Sequence, residues 1–353
     1  MIGFLFFISL NFLFMPIFTA KKPEMKTAAP LFLALISVTL LLSCQRENIN
    51  PAPVEINYHF ATLEEGKQLL LANTDYYNSL TQNDLEWKRR KTGTTLDEYK
   101  AFAQSCVQDF TEKDKAAFAQ AVEHIKGLLG AMGVRSLPFP DYDIVFIKTS
   151  MMEEGDAAAY THKTEIYVCD WIVEKAETEP DYIYSTLAHE LFHCLTRNSP
   201  DFRRKAYGLL GFTVTGIDHP FSPNIREMIL ANPDVEHYDD YAAFTINGQK
   251  RNCILLPLYT KSWEEAYAES GEETFFFDFY QTVLVPIDEL DTWYSTDDVP
   301  DFWDVMGENT EYVMSVEECL ADNFADAIVF GLDKEYESPW LIEKILALLK
   351  EYK

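Results

Sequence analysis

The sequence predicts an α+β fold in which helices at both ends of the chain enclose strand-rich parts. Three observations predict it. Helical spacing covers residues 62–131, β-rich apolar runs follow between 143 and 171 and again within 211–313, and helical spacing returns from Ser315 onwards. With 353 residues, 48% of them hydrophobic, the chain can bury a sizeable core. We expect one domain over 58–353, with a helical part at 58–136 and a mixed part at 137–353.

The helical part is predicted from three helix-start motifs. Thr62, Thr95 and Thr111 are each followed three positions later by Glu or Asp, which is the pattern of a capping box. The Pro-containing stretch at 137–140 ends this part.

A small mixed sheet is expected next, because the apolar period shortens. Residues 143–149 read as a buried strand, and residues 157–161 and 165–171 flank a turn as a hairpin would. A helix follows from about Thr178, with Pro180 in its first turn, and Ser199-Pro200 stops it.

The remainder is predicted to be a strand-bearing insert followed by helices. Asn247-Gly248 between apolar runs predicts a hairpin, and residues 274–285 read as a long strand. Residues 315–330 and 340–353 have helical spacing.

Charge excludes one broad class of function. The formal net charge is −28, with 57 acidic against 29 basic residues. Nucleic-acid binding needs clustered Lys and Arg to neutralise phosphates, so no nucleic-acid partner is expected.

The N-terminus holds two apolar segments, and the second reads as a complete secretory signal. From Met25 it has a charged Lys26, an apolar stretch and a small Ser43 before Cys44. The run Leu41–Cys44 resembles a bacterial lipobox, which implies cleavage before a lipidated Cys44. We therefore expect a signal region at 1–43, a true start at Met25 and a tether at 44–57. The alternative is a transmembrane anchor made of residues 1–20.

The lipobox resemblance also implies a place in the cell. The mature chain would be an exported bacterial lipoprotein, held to a membrane through acyl chains on Cys44, on the periplasmic or cell-surface side. The outer membrane is the favoured location.

The stretch His189-Glu190-Leu191-Phe192-His193 carries the strongest chemical signal in the chain. On a helix, positions i and i+4 share one face, so both imidazoles can reach one metal ion at about 2.0–2.1 Å. Glu190 lies about 100° further round and can act on a water molecule as general base. The alternative is a surface helix with two solvated histidines.

This HExxH stretch, with Thr186 three positions before it, resembles the zincin metallopeptidases. Their gluzincin branch adds a glutamate ligand from a later helix and an Asp four positions on, which Glu318 and Asp322 match. The resemblance implies a zincin-like fold, Zn²⁺ held by His189, His193 and Glu318, Glu190 as general base, and Asp322 orienting a histidine.

Other third ligands remain open from the residues alone. Asp201 and His219 follow the motif, and Glu317 adjoins Glu318 but lacks an Asp four positions on. Ser315 three before Glu318 also forms a capping-box pattern, in which Glu318 would only bond the Ser315 amide.

The predicted function is peptide-bond hydrolysis by an exported, membrane-anchored zinc metallopeptidase, with a peptide or protein as substrate. The alternative is a surface binding lipoprotein with a structural or vestigial zinc site. The hairpin at 157–171 could offer an edge strand for substrate to pair with. Cys194 and Cys319 directly follow proposed ligands, so they are either bridged or free and buried.

Overall fold

The fold is a mixed α+β arrangement, as the sequence predicts. It is seen in a computed structural model that describes residues 54–138, 143–271 and 274–352. The signal region, Met25 and the lipidation residue Cys44 lie outside the described residues. Among the described residues, no helix combines the length and the hydropathy needed to cross a bilayer.

The N-terminal part is helical with two short strands. The elements are β1 (Tyr58–Phe60), α1 (Leu63–Leu71), α2 (Thr74–Ser79), α3 (Gln82–Arg89), α4 (Leu96–Cys106), β2 (Val107–Gln108) and α5 (Glu112–Ala131). The predicted capping boxes at Thr62, Thr95 and Thr111 are all present, because each Thr side chain and its acidic partner exchange hydrogen bonds with the two backbone amides. β1 and β2 are too short to give a period-two pattern, and the sequence did not predict them.

The first sheet is small and mixed. Its remaining strands are β3 (Ile144–Thr149), β4 (Ala159–His162) and β5 (Glu165–Val168), in the order β1-β3-β5-β4, and β2 also pairs with β3. β1, β3 and β5 are parallel, whereas β4 pairs antiparallel with β5 and forms an edge. The predicted hairpin is therefore confirmed, but its second arm ends at Val168, because helix α6 (Asp170–Ala176) follows.

Two further helices follow α6. Helix α7 (Pro180–Asn198) carries the HExxH stretch and α8 (Pro200–Gly208) comes after it. Ser199 closes the first helix through its amide and caps the second through its hydroxyl, and Pro200 opens the second.

The insert forms a second, antiparallel sheet. Its elements are β6 (Thr213–Val214), α9 (Pro223–Met228), β7 (Asp240–Ile246), β8 (Gln249–Tyr259), α10 (Trp263–Ser270), β9 (Tyr280–Pro286), β10 (Tyr294–Ser295) and α11 (Phe302–Met306), with strand order β10-β9-β8-β7-β6. Asn247 and Gly248 both have positive φ, so the predicted hairpin turn is confirmed. The predicted strand over 274–285 begins only at Tyr280, because Phe276–Phe279 forms a 3₁₀ turn.

The chain closes with α12 (Val316–Val329) and α13 (Pro339–Leu349). Helix α12 packs along α7, and buried alanines on both helices permit the close approach: Ala188 on α7, Ala321 and Ala325 on α12. The two helices belong to one hydrophobic core with the first sheet, α5 and α13. Their contact brings residue 318 to the HExxH stretch.

Candidate metal centre

His189 and His193 lie one turn apart on α7, with their rings meeting edge to face. The ring centroids are 4.7 Å apart. His193 is fully buried, and 16% of the His189 side chain is exposed. The helical spacing thus brings both imidazoles to one place, as the sequence predicts.

Glu318 reaches both rings from α12. Its Oε2 lies 3.1 Å from Nε2 of His189 and 3.6 Å from Nε2 of His193. Four tetrahedral ligands about 2.0–2.1 Å from one ion lie about 3.3 Å from one another. The separations therefore suit three vertices of a tetrahedral shell.

The helix cap at Ser315 does not engage the Glu318 carboxylate. Ser315 Oγ accepts a hydrogen bond from the Glu318 amide at 3.1 Å, so the cap itself exists. The carboxylate instead contacts His189 and accepts a hydrogen bond from Asn232. The side chain is thus directed to the histidines rather than back to its own helix start.

Two further carboxylates hold the imidazoles from behind. Nδ1 of His189 lies 2.8 Å from Oδ1 of Asp322, and Nδ1 of His193 lies 2.9 Å from Oε1 of Glu317. Each carboxylate accepts a hydrogen bond from Nδ1, which leaves Nε2 of each ring, on the side of Glu318, as the nitrogen that can bind a metal.

Both supporting carboxylates are themselves held by hydroxyl groups. Thr310 donates to Asp322 at 2.6 Å. Thr196 and Tyr207 donate to Glu317 at 2.5 and 2.6 Å. A buried carboxylate with all these partners keeps its orientation, so the ring of His193 is firmly positioned.

The histidines and carboxylates of the site strongly influence one another's ionisation. Burial opposes charge on His189, yet the hydrogen bonds that its ring donates to Asp322 and Glu318 raise its pKa to about 10. Burial likewise opposes ionisation of Glu318, but His193 and His189 hold the pKa of its carboxyl below the ordinary value. A divalent ion would displace the imidazole protons, so its binding would release protons.

Glu190 faces the same space with an unused oxygen. Only 4% of the residue is exposed, and burial together with the neighbouring Asp234 raises the pKa of its carboxyl to about 8. Across the part of the chain that the structure describes, Oε2 of Glu190 and Nε2 of His193 have no hydrogen-bond partner. Two buried orphan atoms in one site indicate that it accommodates a further group.

Among the residues that the structure describes, two sets of donor atoms lie close enough to hold an ion. One is the predicted set of His189, His193 and Glu318, and the other consists of Glu190, His193 and Asp234. In each set the three donor atoms lie within 4.8 Å of one another. His193 belongs to both, so Glu190 and Asp234 border the predicted site.

The other residues considered as third ligands lie elsewhere. Asp201 is largely exposed on α8 and pairs with Lys205 at 3.3 Å. His219 bonds through its backbone to Tyr238 in the insert and belongs to neither donor set. Cys194 and Cys319 are both buried free thiols.

Three residues at the site were not selected from the sequence. The sequence suggests Glu317 only as a ligand, whereas its carboxylate supports His193 from behind. Asp234 comes from a loop of the insert, and the Tyr312 ring lies 6.3 Å from that of His189. The presence of Glu317 at the site could have been predicted, because it precedes Glu318 on the same helix. Asp234 and Tyr312 have no local signal.

Chemically, the arrangement offers two nitrogens and one carboxylate oxygen to a cation, with a second carboxylate at its side.

Comparison of the chain with protein-family models, with curated proteins and with solved structures found no match.

Proposed function

We propose that the chain is a zinc metallopeptidase of gluzincin type with a zincin-like fold, exported and anchored to a membrane through Cys44. The observation that supports it best is the convergence of Nε2 of His189, Nε2 of His193 and Oε2 of Glu318, with both imidazoles backed by carboxylates. Burying two imidazoles and a carboxylate together is costly, so helices that only support the fold would bury apolar side chains here instead.

The donor set suits zinc. Two imidazole nitrogens and one carboxylate oxygen are the ligands of a catalytic zinc site that keeps its fourth position open. The orphan Nε2 of His193 is the buried atom that such an ion would satisfy. His189, His193 and Glu318 would therefore hold the ion.

The proposed chemistry follows from the groups around that position. Zinc, when bound, supplies Lewis acidity that polarises a carbonyl and acidifies water. Glu190 takes the proton from the attacking water and returns it to the leaving amine. We assign stabilisation of the carbonyl oxygen to Tyr312, whose ring lies beside His189.

An extended peptide is the substrate that the surroundings favour. β4 is the edge of the first sheet and packs against α7, which carries the site. Such an edge can bind a peptide by adding it as a further strand, which aligns one amide bond with the catalytic groups.

One observation favours the alternative, a binding lipoprotein with a structural zinc site. Asp234 lies in a donor set with His193, one of the three proposed ligands, and a fourth protein ligand is what closed structural sites have. Against it, Glu190 has no part in a structural site, yet its carboxylate is buried there with an unused oxygen.

Metal analysis combined with peptide cleavage tests the proposal. The purified protein should contain about one zinc per chain and cleave members of a mixed peptide library. A chelator should abolish cleavage, and added zinc should restore it. A metal-loaded protein without peptide turnover would favour the structural site, and cleavage that survives metal removal would refute the zinc mechanism.

A further inference from the structure

A loop of the insert, Asn232–Glu236, lies across the candidate metal centre; we call it the cleft loop. Contacts with α3 on one side and α7 on the other hold the loop in place. The amide of Ala231, just before the loop, donates to Asp84 on α3 at 3.0 Å, and Arg197 on α7 donates to the carbonyl of Pro233 at 3.1 Å. Arg197 also pairs with Glu236 at 2.7 Å.

The cleft loop occupies the strand edge that a substrate would need. Oδ1 of Asp234 accepts hydrogen bonds from the backbone amide of Thr161 at 2.8 Å and from its hydroxyl at 2.6 Å. Thr161 lies in β4, and its amide points away from β5 towards the open edge. Because one amide hydrogen serves one acceptor, Asp234 and a substrate strand compete for Thr161.

The same carboxylate also lies beside His193, one of the proposed ligands. A carboxylate oxygen of Asp234, one of Glu190 and a ring nitrogen of His193 lie within 4.8 Å of one another. Oε2 of Glu190 and Nε2 of His193 are buried and, within the described residues, unpartnered. Asn232, two positions earlier in the loop, donates to Oε1 of Glu318. The loop thus contacts the proposed ligand set at two points.

We propose that Asp234 supplies a fourth protein ligand, a carboxylate oxygen, to the metal in the resting protein, so that the site stays closed until a peptide pairs with β4 and displaces the cleft loop. This inference rests on the proposed zinc site. In the closed site the Asp234 carboxylate, which Thr161 holds in place, competes with the substrate for the metal and for the edge of β4.

The closed form has a consequence for small metal ligands. A probe that must bind the metal's fourth position meets a protein in which only the open fraction is competent, so its apparent Kd is the intrinsic Kd divided by that fraction. Removing the Asp234 charge should remove this penalty without removing the metal.

Cobalt(II)-substituted protein and acetohydroxamate provide the test. The probe's binding is followed by the visible spectrum of cobalt, which changes when the ligand shell changes. The test variant is Asp234→Asn, which retains an acceptor for Thr161. Glu227→Gln is the control, since it removes a charge from the same insert at an exposed residue of α9 that belongs to neither donor set. Thermal unfolding of each variant checks that the fold is retained.

The expected result is that Asp234→Asn binds one cobalt per chain and takes up acetohydroxamate at least about tenfold more tightly than the wild type and Glu227→Gln. Its cobalt spectrum without the probe should also differ from that of the wild type. In peptide cleavage, KM should fall with kcat unchanged or raised.

Other outcomes would overturn the inference in distinguishable ways. Equal probe affinity in the wild type and Asp234→Asn would show that Asp234 does not occupy the metal, while the zinc site itself stands. A fall in kcat with unchanged probe affinity would make Asp234 a positioning residue for Glu190 instead. A wild-type protein that binds no metal would remove both the inference and the proposed function.

Discussion

Glu317 and His193 form a hydrogen-bonded pair of 2.9 Å in the core of the protein, with Glu318 on the opposite side of the same ring. Consecutive residues of a helix point about 100° apart, so two adjacent glutamates can hold one imidazole between them. One side of the ring is thus oriented by a carboxylate, and the other faces the proposed ion.

The first prediction concerns this support. Glu317→Gln should lower zinc affinity by roughly 10–100-fold, because the ring of His193 loses the charged partner that fixes its proton on Nδ1. Competition with a chromophoric chelator measures it. Glu343→Gln, an exposed glutamate on α13, is the control and should match the wild type. Unchanged affinity in Glu317→Gln would mean that the pair is only structural.

The second prediction separates the third ligand from its sequence rival. Glu318→Ala should lower zinc affinity by more than the roughly 10–100-fold that a supporting carboxylate contributes, since a direct donor is lost. Asp201→Ala should bind zinc as the wild type does, because Asp201 lies on the surface beside Lys205. The reverse pattern would reassign the ligand.

The third prediction concerns the general base. Glu190→Gln should retain its zinc but lose peptide turnover by roughly 10²–10⁴-fold, since an amide cannot accept the proton of the attacking water. Turnover and metal content are measured on the same preparation. Turnover near the wild-type rate in the zinc-loaded variant would remove Glu190 from the mechanism.

The fourth prediction concerns Tyr312. Tyr312→Phe should lower kcat by roughly 10–10³-fold with little change in KM, because a hydroxyl that stabilises charge developing on the carbonyl oxygen acts mainly in the transition state. Steady-state kinetics on one peptide measure both constants. A rise in KM alone would place Tyr312 in substrate binding.

The fifth prediction concerns stability at acid pH. His162 is buried among Tyr76, Tyr160 and Tyr167, and burial, with the charges of Arg197 and Lys163, holds the pKa of its imidazole well below 6.5. Below about pH 6.5, His162 therefore binds a proton in the unfolded chain but stays neutral in the folded chain. This term lowers the free energy of unfolding by up to about 1.4 kcal/mol per pH unit.

Replacement of His162 by Phe removes that term. Urea unfolding between pH 7 and pH 5 should show a shallower loss of stability in His162→Phe than in the wild type. The exposed His124 on α5, replaced by Gln, is the control and should keep the wild-type slope. Parallel slopes in all three proteins would exclude a buried neutral His162.

Local sequence patterns correctly predicted the features that depend only on residues close together in the chain. The capping boxes at Thr62, Thr95 and Thr111, the Asn247-Gly248 turn and the shared face of His189 and His193 are properties of a few consecutive residues, and the structure has them all. The position of Glu318 was expected only because its motif resembles that of a known class of site.

Features that depend on distant parts of the chain were missed. Asp234 reaches the site because Thr161 and Arg197 hold its loop, and no spacing in the sequence encodes those contacts. Residues 274–279, which include four phenylalanines, were predicted as the start of a strand, but Phe276–Phe279 forms a 3₁₀ turn. High β-propensity alone does not distinguish these two conformations.

The proposed ligands are far apart along the chain, since 129 positions separate His189 from Glu318. Closing so long a loop costs conformational entropy, which the packing of α12 on α7 helps to offset, so we expect the donors to assemble late during folding. An ion held by this set would then not guide the early steps of folding. Its capture would instead mark chains that have completed their tertiary structure, and apo chains would be the natural targets of proteolytic quality control.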